Sequence, residues 1–183
     1  TRLCPRSRRT KSALITKTIL GCQANEDKTI VTFDELGTML VALDNCATNH
    51  IFNDVDDFIG ELTDMDPVDI TGIGNGVAEG SGSVRLAFQA DDGIIYTKTL
   101  RDVWYVPSAS VSMLSVPQLD RQLAEESNGE QEAFILSRGT HSTFQWHDAR
   151  VTIPHLDTAQ IPLLCCHPVR EDEDRPLAYQ NFH

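Results

Sequence analysis

Apolar and polar residues alternate along much of the chain with the two-residue period of half-buried strands. Val68 to Ile73 alternates, and so does Ser83 to Phe88, with Val84, Leu86 and Phe88 on one face. Thr29 to Phe33, Thr38 to Leu43, Ile94 to Thr99, Val103 to Val106 and Val111 to Val116 are further short apolar or β-branched runs. Turn signals stand between them: Gly72-Ile73-Gly74-Asn75-Gly76, whose Asn-Gly pair favours a tight hairpin, and Asp91-Asp92-Gly93. Pro107 closes one run, because proline cannot donate to a strand ladder. Only Pro117 to Glu126 changes period: Leu119 and Leu123 lie four apart, which predicts a short helix. Beyond a polar turn at Ser127 to Gly129, Ala133 to Leu136 reads as a strand. Phe144, Trp146 and Val151 to Ile153 read as a last hairpin. The pattern predicts an all-β domain, a sandwich or small barrel, with one short helix.

Where the pattern fails, the domain is expected to end. Residues 1–27 show no periodicity and are expected to be a basic, disordered linker, with the β domain over 28–155. Prolines, acids and lone apolar residues over 156–183 predict a loosely ordered tail. Inside the domain, Asn53 to Asp66 holds Asp54, Asp56, Asp57, Glu61, Asp64 and Asp66, and is expected as a solvated acidic loop. It lacks the glycine and terminal glutamate of a calcium-binding EF-hand loop. The length of 183 residues suits one domain with tails. Since the first residue is Thr1, the chain is expected to be cut from a longer reading frame.

Charge and cysteine content narrow the function. The net charge of −12 hides six basic and no acidic residues up to Leu20 (Arg2, Arg6, Arg8, Arg9, Lys11 and Lys17). The rest of the chain is acidic and a poor nucleic-acid binder, so nucleic acid is expected only weakly, through the basic arm. Five scattered cysteines, an odd number, argue for a reducing, intracellular compartment rather than a disulfide scaffold. The adjacent Cys165 and Cys166, beside His167, lack further ligands at zinc spacing, so no metal or cofactor is expected. No apolar run reaches the length of a membrane span.

The candidate chemistry sits at Met39 to His50, where an apolar strand runs straight into a carboxylate, Asp44. An aspartate at a strand's end is held by backbone yet reachable by water, and needs a hydrogen-bonding reason to be there. One reason is a turn in which Asp44 and Asn45 cap their own backbone. Another is acid–base chemistry. A Cys46–His50 thiolate dyad is a further reading, although four-residue spacing brings two side chains together only on a helix.

Four motifs in order carry a resemblance: Asp44-Asn45-Cys46-Ala47-Thr48-Asn49-His50, Gly72-Ile73-Gly74-Asn75-Gly76, Val103-Trp104-Tyr105-Val106-Pro107, and Met113-Leu114-Ser115-Val116-Pro117-Gln118-Leu119. From about Val41 to His155 the chain resembles the protease-region β-barrel of copia-type retrotransposon Pol polyproteins, relatives of the retroviral aspartic proteases. The resemblance implies a small closed retropepsin-like β-barrel. Asp44 would be the one catalytic aspartate per subunit of a homodimer that cleaves polyprotein peptides, with Asn45, Cys46, Ala47 and Thr48 as the active-site loop. Gly72 to Gly76 would be the flap, and His50, Leu114 and Ser115 would support the loop. Two positions depart from the family pattern Asp-Ser-Gly: Asn45 replaces the hydroxyl residue and Cys46 the glycine. A positive φ at Cys46 would cost ~1–2 kcal/mol. The alternative that follows is a catalytically inactive structural β-barrel remnant of such a polyprotein.

Overall fold

The computed structural model describes residues 38–70, 76–155 and 161–169. The expected linker over 1–27, the strand at Thr29 to Phe33 and the flap residues Gly72, Ile73, Gly74 and Asn75 lie outside the described residues.

The chain begins with β1 (Met39–Asp44) and the short β2 (Ile51–Phe52). A single 3-10 turn at Val55–Asp57, capped by the Asp54 side chain on the Asp56 N–H, leads into β3 (Phe58–Ile70). Next come β4 (Gly76–Gln89), β5 (Ile95–Tyr105) and β6 (Ser112–Ser115). The helix α1 (Val116–Ser127) follows without a break. Strands β7 (Ala133–Ser137), β8 (His141–Trp146), β9 (Ala149–Pro154) and β10 (Leu163–Pro168) complete the described chain.

Seven strands make one sheet in the order β10-β1-β6-β2-β5-β4-β3, and β10 pairs with β4 as well as with β1. The sheet therefore closes into a ring of six strands with β3 attached outside it. Such closure satisfies strand edges that would otherwise be open to pairing. β1 runs parallel to β6 and antiparallel to β10. Held on both sides, it buries Val41 and Leu43 toward the main core and Ala42 toward a second cluster. That two-sided burial is why its sequence is a continuous apolar run rather than an alternation.

Strands β7, β8 and β9 form a second, separate antiparallel sheet. The main core joins this sheet, the ring and the helix: Leu119 and Leu123 of α1 pack with Leu86, Leu100 and Phe144. The Phe88 ring lies 5.1 Å from that of Trp146. Each fully buried side chain of this size contributes about 1.5–3 kcal/mol. Leu119 and Leu123 are both 1% exposed, so the i, i+4 pair marks the helix face that meets the core. The all-β class and the single short helix stand as the sequence pattern indicates.

Three features differ from the sequence expectations. The acidic stretch is not a loop over its whole length: from Phe58 it is strand β3, with Glu61, Asp64, Asp66 and Asp69 on the exposed side. Its pairing with β4 shifts register between Ile59 and Thr63 and again between Asp64 and Val68. Those irregularities space the inward residues Leu62, Met65 and Val68 three apart, which erases the two-residue signature. Secondly, β5 is one strand, interrupted only by Asp102 at φ 53°. Thirdly, Leu163–Pro168, inside the expected loose tail, is the strand that closes the ring. The expected turn at Asp91-Asp92-Gly93 is present, with Gly93 at φ 83°, a conformation that favours glycine.

Candidate active site

Asp44 is the last residue of β1 and is paired in register with Ser115, the last residue of β6. Strand alternation puts Asp44 on the same face as Ala42, toward the second cluster. The carboxylate is half-buried, and Asn45 and Cys46 beyond it are exposed. Its Oδ1 accepts the Cys46 N–H at 2.6 Å, closing an aspartate turn on its own backbone. Asp44 thus caps its own backbone in a local turn, one of the reasons the sequence offers for an aspartate at a strand's end, and remains open to water. Cys46 is not among the non-glycine residues with positive φ, so the side chain at this usual glycine position brings no left-handed strain.

The loop is held from behind. Ser115 Oγ–H donates to the Ala47 carbonyl at 2.6 Å, while the same oxygen accepts the Gln118 N–H at 3.1 Å as the N-cap of α1. The Ser115 N–H donates to His50 Nδ1 at 3.1 Å, and the His50 N–H donates to Gln118 Oε1 at 2.6 Å. Leu114 is buried in the main core, paired in register with Leu43. Of the expected supporting residues, Ser115 and His50 contact the loop or its end directly, and Leu114 fixes the strand beneath.

His50 is fully buried, and that burial, with the Arg121 charge as a second cause, lowers its pKa to about 3. The ring is therefore neutral near pH 7, with Nδ1 as acceptor and the proton on Nε2. Among the described residues Nε2 has no hydrogen-bond partner. A thiolate dyad needs a base that reaches the thiol. Cys46 is exposed, His50 is buried with its Nδ1 occupied by Ser115, and no hydrogen bond joins them. The geometry gives that reading no support. Burial also raises the Cys166 thiol well above its ordinary value. Cys165 and Cys166 point to opposite faces of β10, as neighbours in a strand must.

Of the expected flap, only Gly76 is described. It opens β4 opposite Ile70, and a Cβ there would stand 2.9 Å from Val106 Cγ1. The need for glycine at this point is close approach rather than flexibility. Met65, Val68, Ile70 and Ala78 of the β3–β4 hairpin share the second cluster with Ala47 of the Asp44 loop. The hairpin and the loop thus meet on one apolar patch.

Two residues of this arrangement escaped the sequence reading. Gln118 ties His50 to the bend of β5 through its Nε2, which donates to the Arg101 and Asp102 carbonyls. Arg121 makes a long 3.5 Å contact to the Thr48 carbonyl. A partial signal existed for the first: Ser115-Val116-Pro117-Gln118 has capping-box spacing. Only the Ser115 half forms, since the Gln118 amide bonds His50 and β5 and the Ser115 N–H goes to His50 Nδ1.

These features define an all-β fold closed on itself, with one carboxylate presented at the end of a buried strand. Residues 41–123 match the family model described as Pol polyprotein, beta-barrel domain. The match runs from β1 into α1 and supports a Pol polyprotein domain. Searches of the curated proteins and of the solved structures gave no match.

Proposed function

We propose that the chain is the protease-region domain of a copia-type retroelement Pol polyprotein and descends from an aspartic endopeptidase. In the working form, two copies form a homodimer, and each supplies Asp44 to one site. Two carboxylates brought close share a proton and titrate as a coupled pair. One then takes a proton from a bound water as that water attacks the peptide carbonyl, and the other gives its proton to the departing amine. Asn45 to Thr48 are the loop around the reacting groups. Gly72 to Gly76, of which only Gly76 is described, take the role of the flap over an extended polyprotein peptide. In this reading the proteolysis divides the polyprotein inside the cell.

The observation that carries this reading is the setting of Asp44: a half-exposed carboxylate at the end of a buried strand, with its loop fastened by Ser115, His50 and Gln118. A second reading, an enzymatically silent barrel, draws on Asn45 and Cys46. Asn45 is exposed and makes no side-chain hydrogen bond among the described residues, and Cys46 places a thiol where the family pattern has glycine.

The test is cleavage of a polyprotein-derived peptide at mildly acidic pH by a sample of known oligomeric state. Cleavage that is blocked by a statin-type transition-state mimic and abolished in Asp44→Asn supports the protease. Undiminished cleavage by Asp44→Asn rejects Asp44 as catalytic, and a folded dimer that cleaves nothing favours the silent barrel.

A further inference from the structure

Behind the Asp44 loop lies an open polar cleft of about 260 Å³ that the peptidase reading does not use. Thr48 and Asn49 form one wall, the β5 bend at Arg101 and Asp102 a second, and the Arg121 and Glu125 side of α1 a third. Its floor is already committed. Gln118 Nε2 donates to the two β5 carbonyls, and Gln122 Oε1 accepts the Arg101 N–H at 3.1 Å. These amides shape the cleft and are not free to serve a ligand.

The charges along the rim are unequally satisfied. Arg101 has carboxylates at 3.4 Å (Glu125) and 3.5 Å (Glu126). Arg121 has no carboxylate at ion-pair distance among the described residues, and its hydrogen bond to the Thr48 carbonyl is long. In a chain of net charge −12, Arg121 thus presents an exposed guanidinium without an anion beside a concave surface. A guanidinium presents a planar fork of donors that matches the two oxygens of a carboxylate or phosphate.

We propose that this cleft binds an oxyanion-bearing group, with Arg121 as the principal contact and Arg101 beside it. The volume suits a single side chain or the end of a peptide rather than a large cofactor. Arg101 is already offset by Glu125 and Glu126, and Asp102 adds a further negative charge at the rim. The one unpaired guanidinium therefore matches a singly charged carboxylate better than a phosphate dianion. Because Arg121 contacts the Thr48 carbonyl, occupancy is felt in the loop that carries Asp44. The proposal does not depend on Asp44 being catalytic.

The test uses the full 183-residue chain. Acetyl-aspartate amide and, separately, inorganic phosphate are titrated at constant ionic strength, with sodium chloride as control, and backbone amide NMR shifts are followed. The expected result is saturable shifts at Thr48, Asn49 and Arg121 with the aspartate probe, weaker with phosphate. Affinity should fall roughly 10-fold or more in Arg121→Gln, the loss of one charge-assisted pair, and rise in Asp102→Asn. Tighter binding of phosphate than of aspartate would leave the oxyanion site standing and overturn the stated preference. Shifts that do not saturate, that chloride reproduces, or that persist unchanged in a folded Arg121→Gln protein overturn the proposal.

Discussion

Acid should unfold this protein earlier than its carboxylates alone would require, through one histidine. His50 is fully buried, its Nδ1 accepts the Ser115 N–H, and its pKa is lowered to about 3 by burial and by Arg121. In the unfolded chain the same imidazole titrates near 6.5. The sign follows from linkage: a folded pKa below the unfolded one means that the unfolded state binds the proton first. His50's contribution is fully present above about pH 6.5 and is lost as pH falls from there toward 3. From pH 7 to pH 5 the loss is about 2 kcal/mol; it reaches about 4 kcal/mol at the folded pKa and about 5 kcal/mol only below it.

The perturbation is His50→Asn, whose side-chain oxygen still accepts from the Ser115 N–H and carries no charge at any pH. Urea unfolding curves at pH 7, 6 and 5 should show the parent losing about 2 kcal/mol more than the variant across that range. The variant is expected to be the less stable protein at pH 7, because asparagine fills less of the site, and to close the gap at pH 5. Parallel pH profiles for the two proteins would refute the reasoning, since they would mean that His50 charges without cost in the fold.

Two substitutions test the frame around the loop. Ser115→Ala removes the cap of α1 and the hydrogen bond to the Ala47 carbonyl together, and should cost about 2–3 kcal/mol in urea unfolding. A loss under about 0.5 kcal/mol would show that neither bond matters to stability. Gly76→Ala places a methyl 2.9 Å from Val106 Cγ1 and 3.2 Å from Ser108 Oγ, and should cost about 1–3 kcal/mol as an overpacked contact. An unchanged or raised melting temperature would show that the start of β4 yields freely.

What was legible in the sequence divides along the length scale of the interactions. Val84, Leu86 and Phe88 alternate because one face of β4 meets the core, and Leu119 and Leu123 recur at four because one face of α1 does. Local pattern records such burial directly. β3 was misread because its bulged pairing with β4 replaces the two-residue period and fills the outer side with acids. β10 was missed for another reason: Leu163 to Pro168 is six residues long, with a cysteine pair and a terminal proline, and acquires its strand character from β1 and β4. No local signal encodes partners that lie 80 residues away on β4 (His167 with Ala87) and farther still on β1 (Cys166 with Met39). The same holds at the site. Asp44 could be found because an apolar run ends on it. Its fastenings could not, because the Gln118 and Arg121 contacts span 68 and 73 residues.

Ser115 shows why the site depends on these distant contacts. It is at once the end of β6, the in-register neighbour of Asp44, the N-cap of α1 and the donor to the Ala47 carbonyl. One residue therefore fixes where the strand stops, where the helix starts and how the loop between Asp44 and His50 is drawn in. The loop has little apolar burial of its own, since Asn45, Cys46 and Thr48 are exposed. Its order has to be borrowed from α1, and α1 is anchored in turn by Leu119 and Leu123 in the main core. A substitution in that core should thus reach the Asp44 carboxylate through the helix and its cap, without touching any residue of the loop.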